Sequence, residues 1–556
     1  MLKRKKFWKR VLYVLGVFVL LLVILCIYIV NVAKVPDPKV ADMSSLQLQR
    51  TEVSKGFYTI NDSWFRKSKS GLYEMYVEGD GFGMGAINGK LSMELVQRQE
   101  DHFTDQIKKM IPSEFTRGYL KYLIGWFNRN LDKTIKEEYR DEIFGVSESA
   151  SPSYQWLGSN YQRILNYHAA HDIGHALQNL ALVGCTSFGT WNDQSEDSTM
   201  IIGRNFDFYV GDKFAEDKII AFFNPKQGHK FMTVTWGGFI GAVSGMNEKG
   251  LSVTINAAKS EYPTSSATPV SLVTREILQY AQNIEEAIAI AKKRKMFVSE
   301  SFLVASAADN KAVIIEKTPD TLDVYDPHMN LIVCANHFQS KGLVNSKKNV
   351  EQMDESASPY RYERLVELLN ANGKNTVQKT VNILRDRKGL HNADIGDGNE
   401  KAINQLIAHH SIVFEPKKLK VWVSTSPFQL GQYVAYDLKR VFALRGMKQD
   451  MEVSDSSLSI APDTFLLTKQ YKNFESFRNM KQRIIDGGRI DADSIVASNP
   501  NFYNAYVLAG DYSFKQKEYK KAIGFYEQAL TKVIATKKEE QHIKDQITKA
   551  NKKLAP

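Results

Sequence analysis

Cysteine is scarce in this chain: three residues in 556, at Cys26, Cys185 and Cys334. That excludes a disulfide-built scaffold and a four-cysteine metal knuckle, and because Cys26 lies in an apolar run only Cys185 and Cys334 remain as a conceivable pair. Glycine and proline are also sparse, 34 and 15 residues, which together with 43% hydrophobic and 24% charged residues excludes a collagenous, mucin-like or disordered chain. No H-E-x-x-H, arginine-rich stripe, C₂H₂ spacing or aromatic RNA-binding motif occurs, so no nucleic acid is expected despite a formal charge of +11. The charge sits at the ends. Lys3, Arg4, Lys5, Lys6, Lys9 and Arg10 precede residue 11, and residues 532–556 hold seven lysines against three acids, leaving the body close to neutral. Length alone implies a catalytic-sized body with smaller modules.

What the chain does contain begins with Val11 to Val30, VLYVLGVFVLLLVILCIYIV, twenty residues without a charge. As a helix this run reaches roughly 30 Å, the thickness of a bilayer's hydrocarbon core. Six basic residues before it and Lys34 alone soon after place the N-terminus in the cytoplasm and the body outside. A cleaved signal peptide is the rival reading, opposed by a run longer than the usual stretch of about 7–15 residues and by the lack of a clean small-x-small cleavage site. At the other end, Gly510, Tyr519, Ala522, Tyr526 and Ala529 fall where a tetratricopeptide-like helix pair places small and aromatic knobs. Such a pair is expected either to pack on the body or to dock a protein partner.

Between the ends the period changes near residue 184. Ser44 to Val183 reads as mostly helical, with apolar residues at three-and-four spacing. From Thr186 to Asp326 the period shortens to two, and FMTVTW, GAVSGM, LSVTINAA, SFLVASAA, KAVIIEKT and LDVYD read as strands. TREILQYAQNIEEAIAIAKK and PYRYERLVELLNAN read as helices, and SIVFEPKKLKVWVST as two strands joined by a charged turn. The expected class is α+β, divided as a basic tip and transmembrane helix (1–34), a helical presegment (35–184), a catalytic domain (185–450), a linker with helical extension (451–495) and a tetratricopeptide-like tail (496–556).

Cys185 follows an apolar run and a glycine and opens a strand, while Arg204 and Asp207 sit three apart in the next one. A guanidinium near the sulfur favours thiolate and a carboxylate can hold an ammonium, which suits a cysteine whose own α-amine acts as base. No histidine is spaced as an obvious thiol partner. His168, His171 and His175 lie upstream on one helical face, where a zinc site with Asp172, a positioning role and ordinary buried polarity are the three readings. The aromatics Phe206, Phe208, Trp236 and Phe239 suit either a core or an acyl pocket.

Five segments in order, Cys185-Thr186-Ser187, Gly203-Arg204-Asn205-x-Asp207, Asn247-Glu248-Lys249-Gly250-Leu251 ending in Asn256, Ala335-Asn336-His337-Phe338 and Ser358-Pro359-Tyr360-Arg361, resemble the N-terminal-nucleophile cysteine hydrolases. That group holds choloylglycine hydrolase, penicillin V acylase, acid ceramidase and the isopenicillin-N acyltransferase branch. The resemblance covers roughly residues 180–440 and implies a four-layer αββα core, self-cleavage between Gly184 and Cys185, and no cofactor or metal. It further implies Cys185 as nucleophile, Arg204 beside the thiolate, Asp207 holding the α-ammonium, Asn256 and Asn336 as oxyanion donors, and Arg361 as a structural or catalytic arginine, with Arg364 one turn on as its competitor. The implied substrate is a small N-acyl amide, hydrolysed or with its acyl group passed to an amine. The opposing reading is a membrane-tethered scaffold that binds partners through its C-terminal helices.

Overall fold

The computed structural model describes residues 2–177, 184–208, 211 and 213–555, with the side chains of residues 2–5, 171 and 175–177 outside the description. Helix α1 (Leu2–Val32) is the apolar run; over Lys6–Val32 its best window has a mean hydropathy of 3.1. After it, the expected helical presegment opens instead with four strands, β1 (Thr51–Ser54), β2 (Phe57–Ile60), β3 (Ser63–Lys67) and β4 (Tyr73–Gly79). Two-residue loops make this meander: Lys55-Gly56 closes the first hairpin with Gly56 at φ 75°, and Asn61-Asp62 the second with Asn61 at φ 52°. Gly and Asn tolerate that left-handed backbone, and the aromatic and β-branched residues between them favour a pleated surface. Helices α2 (Gly81–Leu91), α3 (Met93–Met110) and α4 (Glu114–Phe127) follow, then helices Glu137–Ser147 and Asn160–Leu177.

The remaining strands are β5 (Thr186–Thr190), β6 (Ile201–Phe206), β7 (Ile219–Pro225), β8 (Phe231–Thr235), β9 (Ser244–Asn247), β10 (Leu251–Ala258), β11 (Ser299–Ser306), β12 (Lys311–Lys317), β13 (Leu322–Tyr325), β14 (Leu331–Cys334), β15 (His410–Glu415), β16 (Lys420–Ser424), β17 (Tyr433–Asp437) and β18 (Ser454–Ile460). Eleven of the strands form one sheet, ordered β1-β2-β3-β4-β7-β8-β9-β10-β11-β12-β13, and seven form a second, β14-β5-β6-β15-β16-β17-β18. The six strands read between Phe231 and Asp326, and the pair flanking Pro416–Lys418, stand where period two placed them. β18 carries the second sheet past the expected boundary at residue 450 by pairing with β17. The single helix expected through TREILQYAQNIEEAIAIAKK is two, Val270–Tyr280 and Ile284–Lys293, because Asn283 leaves the helix and its side chain accepts from the Glu286 amide as an N-cap.

The two sheets bury their facing sides against each other, with Trp64, Phe222, Met246 and Ile314 of the larger meeting Ile202, Ile412, Phe414 and Val423 of the smaller. The larger sheet's opposite side, with Ile255, Phe302 and Val304, packs on Val273 and Ile277, while Phe188, Val413 and Trp422 of the smaller pack on Leu365, Val381 and Leu384. The presegment is woven into this body. β4 pairs in parallel with β7, and Glu142 forms a buried ion pair with Arg275, 2.8 Å apart and both 1% exposed or less. The C-terminal helices Lys469–Ile485, Ala492–Ser498, Tyr503–Lys515, Tyr519–Ala529 and Lys537–Leu554 share a core in which Gly510 lies against the Tyr526 ring and Ala522 and Ala529 are buried.

Candidate active site

Cys185 sits at the lip of β5, between the two sheets, 1% exposed. β5 pairs with β6 so that Ser187 lies opposite Arg204 and Thr186 opposite Asn205. The alternation of a strand therefore turns Cys185, Ser187 and Arg204 to the same side. Arg204 Nη2 lies 3.7 Å from the Cys185 sulfur, and the guanidinium is fixed there by the Val243 carbonyl at 2.8 Å, the Ser244 hydroxyl and the Ile255 carbonyl. Ser244 is in turn 2.9 Å from His410 Nε2. Sequence reasoning found Arg204 but missed Ser244 and His410, which no local motif marks.

The carbonyl before Cys185 is held by two side-chain donors. Gly184 O accepts from Arg361 Nη1 at 2.8 Å and from Gln405 Nε2 at 2.9 Å. Arg361 Nη1 also donates to the Cys185 carbonyl at 2.8 Å and to Thr186 Oγ1 at 2.7 Å, and its Nη2 donates to Asn336 Oδ1 at 2.7 Å. Arg364, the competitor, points elsewhere and pairs with Asp386 and Glu367. A β-carbon on residue 184 would collide with the Gln405 amide, which gives a steric reason for glycine there. Gln405 was missed in the sequence because it lies in a segment without regular structure.

That segment is shaped by the C-terminal helices. Asp397 exchanges hydrogen bonds with Asn499, its amide donating to Oδ1 at 3.2 Å and its carbonyl accepting from Nδ2 at 2.7 Å. Asn399 Nδ2 donates to the Val533 carbonyl at 2.9 Å, Gly396 at φ 82° lies against the Phe502 backbone, and Leu406 is buried in the helical module's own core.

Asn336 donates its side-chain amide to the Ala257 carbonyl at 2.9 Å while its oxygen is taken by Arg361. Asn256 accepts from Ser187 Oγ at 2.7 Å and gives both amide hydrogens away, to the carbonyls of Cys334 and Ala335 at 3.1 Å each. Both asparagines thus tie the strands around Cys185 together. Cys185 and Cys334 are free thiols.

Burial dominates the electrostatics of this site. Burial pushes the Cys185 thiol up to about 11, with Arg204 opposing, so the sulfur holds its proton at neutral pH. Burial likewise raises the Asp207 carboxyl to about 7 against the pull of Arg361 and Arg204. Among the described residues both Asp207 carboxylate oxygens are buried without a hydrogen-bond partner, while the Asp207 backbone carbonyl accepts from the Gly184 amide at 3.0 Å. Glu300, also buried with both oxygens unpartnered, is raised well above the carboxylate range by burial. An orphaned carboxyl costs stability unless it stays protonated or gains a cation.

The upstream histidines separate. His168 Nδ1 is 2.8 Å from the Ile164 carbonyl and its Nε2 accepts from the Ile240 amide at 3.0 Å, so both ring nitrogens are engaged with backbone. The side chains of His171 and His175 lie outside the described residues. Among the described residues no cluster of three or more metal-ligating side chains occurs.

Residues 191–428 match the family described as acyl-coenzyme A:6-aminopenicillanic acid acyl-transferase, a stretch that carries Arg204, Asp207, Asn256, Asn336, Arg361 and Gln405 and opens just after Cys185. Over that stretch, which is less than half of its length, the chain is similar to this acyl-transferase family. An uncharacterised protein of Archaeoglobus fulgidus is 23% identical over 390 residues, 64% of this chain and 63% of that protein, so the chain spans less than two thirds of that relative's length. Protein dcd1B of Dictyostelium discoideum is 21% identical over 391 residues, 66% of this chain and 74% of that protein. Among solved structures, the Caenorhabditis elegans N-acylethanolamine-hydrolyzing acid amidase ortholog is 18% identical with a TM-score of 0.30, covering 42% of this chain and 93% of that one. A variant of conjugated bile acid hydrolase from Clostridium perfringens is 13% identical with a TM-score of 0.32, covering 46% and 93%. Penicillin V acylase from Agrobacterium tumefaciens is 13% identical with a TM-score of 0.30, covering 46% and 87%.

Proposed function

We propose that this chain is a precursor that cuts itself between Gly184 and Cys185 and then works as a thiol amidohydrolase on linear N-acyl amides. The observation that carries the reading is the Gly184 carbonyl oxygen, held by Arg361 and Gln405 beside the Cys185 thiol and the unpartnered Asp207 carboxyl. Two donors on a carbonyl oxygen stabilise the negative charge that develops when a nucleophile adds to its carbon. In the cut, the Cys185 sulfur attacks the Gly184 carbonyl carbon, the C–N bond breaks, and the nitrogen, taking up the thiol proton, becomes an amine while a thioester forms. Water then hydrolyses the thioester, leaving a Gly184 carboxylate and a free thiol.

The new α-amine has an ordinary pKa of about 7.7–8.0, near enough to neutrality to act as base, whereas an amide nitrogen is none. Asp207 gains the ammonium as its missing partner. In turnover the thiol loses its proton to the α-amine and adds to the substrate carbonyl, the amine product leaves with that proton, and water completes the hydrolysis of the acyl-enzyme. Arg361, released from Gly184, and Asn336 then serve the substrate oxyanion, with Asn256 fixing the strands behind them. The family description favours a second outcome, transfer of the acyl group to an amine in place of water.

The packing of helices outside two facing sheets fits the four-layer core of this reading. The presegment is expected to stay bound after the cut, and α1 to remain as a membrane span with the body on the extracytoplasmic side. Incubation of the cut protein with a panel of N-acyl amides, with and without added amines, tests the chemistry. An acyl adduct on the Cys185 fragment and amine-dependent product partition are expected; a cut protein that forms no adduct with any amide or ester would leave the scaffold reading.

A further inference from the structure

Helix α4 carries an apolar stripe that none of the described residues covers. Phe115, Tyr119, Leu123 and Trp126 recur at intervals of four, four and three, so they share one helical face, and they are 75%, 55%, 62% and 37% exposed. Isolated exposed apolar residues are ordinary, but a continuous aromatic stripe on a helix is not, and it marks a contact surface.

The position of this stripe identifies its occupant. Residues 6–28 of α1 are exposed along their whole length, whereas Ile29, Val30 and Val32 are half-buried and Ala33 and Val35 fully buried. The body therefore begins where the apolar run ends, and α4 is what the run meets. Gly125 lies so close to Ala33 that a β-carbon would overlap both its backbone and its side chain, and Gln162 Nε2 donates to the Ala33 carbonyl at 2.5 Å. Charge points the same way: between residues 105 and 130, Lys108, Lys109, Arg117, Lys121 and Arg129 outnumber Asp105 and Glu114. Arg129 lies 4.5 Å over the Trp126 ring, and Phe115 and Tyr119 pair edge-on at 4.9 Å. Aromatic rings flanked by bases are the composition of helices that lie in a bilayer interface and meet anionic headgroups.

We propose that the Phe115–Trp126 face of α4 docks on the outer leaflet of the bilayer that α1 spans, as a second membrane contact that holds the catalytic body against the lipid surface. The inference rests on reading α1 as a retained span. A helix packed on the outer end of a span has its free face turned to water or to headgroups, and a stripe of four large apolar side chains selects the latter.

Spin labels at three positions, in the full chain carrying Cys26→Ser and Cys185→Ala and reconstituted in nanodiscs of phosphatidylcholine and phosphatidylglycerol, test this. Labels are placed at Leu20→Cys in α1, at Leu123→Cys in α4 and at Leu467→Cys, an 84% exposed site before the C-terminal helices. The ratio of collisions with oxygen to collisions with a water-soluble nickel chelate is expected to be several-fold higher at 20 and at 123 than at 467. A shielded label at 20 with a water-like ratio at 123 would overturn the docking and leave the span intact. Water-like ratios at both 20 and 123 would overturn the span reading and the docking with it.

Discussion

Gln405 and Gly184 meet at the bond the chain is proposed to break, and their roles separate by substitution. Loss of one oxyanion donor typically costs about 100-fold or more in rate, so Gln405→Ala is expected to slow conversion of the precursor by that order without preventing folding. Gly184→Ala is expected to slow it as well, because the added methyl displaces the Gln405 amide. Time courses of the intact band check both, and wild-type conversion in Gln405→Ala would remove the residue from the cut. Asp207 makes a prediction of the opposite kind, about stability. With its carboxyl raised from 3.8 to about 7 by burial, the folded precursor keeps a proton that the unfolded chain has released between those values. Its contribution is therefore fully present at pH below about 4 and is lost as pH rises through about 7. Urea unfolding of Cys185→Ala at pH 4 and 7, beside Cys185→Ala with Asp207→Asn, is expected to show a smaller fall for the double variant; equal falls would contradict the orphaned carboxyl. Arg204 and Asp207 were legible in the sequence because they follow Cys185 at short spacing, whereas Arg361, on a helix far along the chain, was named only through the family resemblance. Gln405, 220 positions from the thiol, was not legible, since only tertiary folding brings it back.

Elements fix what residues cannot. The segment that presents Gln405 has no regular structure of its own and borrows its shape from the C-terminal helices through Asn499, Val533 and Phe502. Asn499→Ala removes two hydrogen bonds to a buried segment, at about 1–3 kcal/mol, and is expected to slow the Gly184–Cys185 cut more than it lowers the stability of the sheets; a normal rate of cutting would limit the helices to packing. The presegment shows where periodicity misled. Helical spacing dominates residues 81–177, and the four short strands before them were absorbed into that reading although Lys55-Gly56 and Asn61-Asp62 are hairpin turns. The strands from Phe231 to Tyr325 were legible because each is bounded by turn residues, and all but the half-buried β13 are buried on both faces.

At the scale of the whole molecule, a cut at Gly184 would divide a chain whose two parts share one sheet and one core. β4 beside β7 and the buried Glu142–Arg275 pair both cross the cut. The two fragments are expected to co-elute in high salt and to part only on denaturation. Arg275→Ala, which leaves the Glu142 carboxylate alone in the core, is expected to cost about 3–5 kcal/mol, read as a lower urea midpoint. Separation of the fragments in salt alone would contradict a shared core. In the proposed function, a buried and neutral thiol, a held carbonyl and a carboxyl without a cation make the cut the step on which the activity would depend. Intact mass with N-terminal sequencing of the detergent-purified full chain, beside Cys185→Ala, addresses it directly. Fragments 1–184 and 185–556, the second beginning Cys185-Thr186-Ser187 and both absent from the variant, are expected; a wild-type chain that stays at 63.1 kDa across a range of pH would contradict self-cleavage and take the α-amine out of the mechanism.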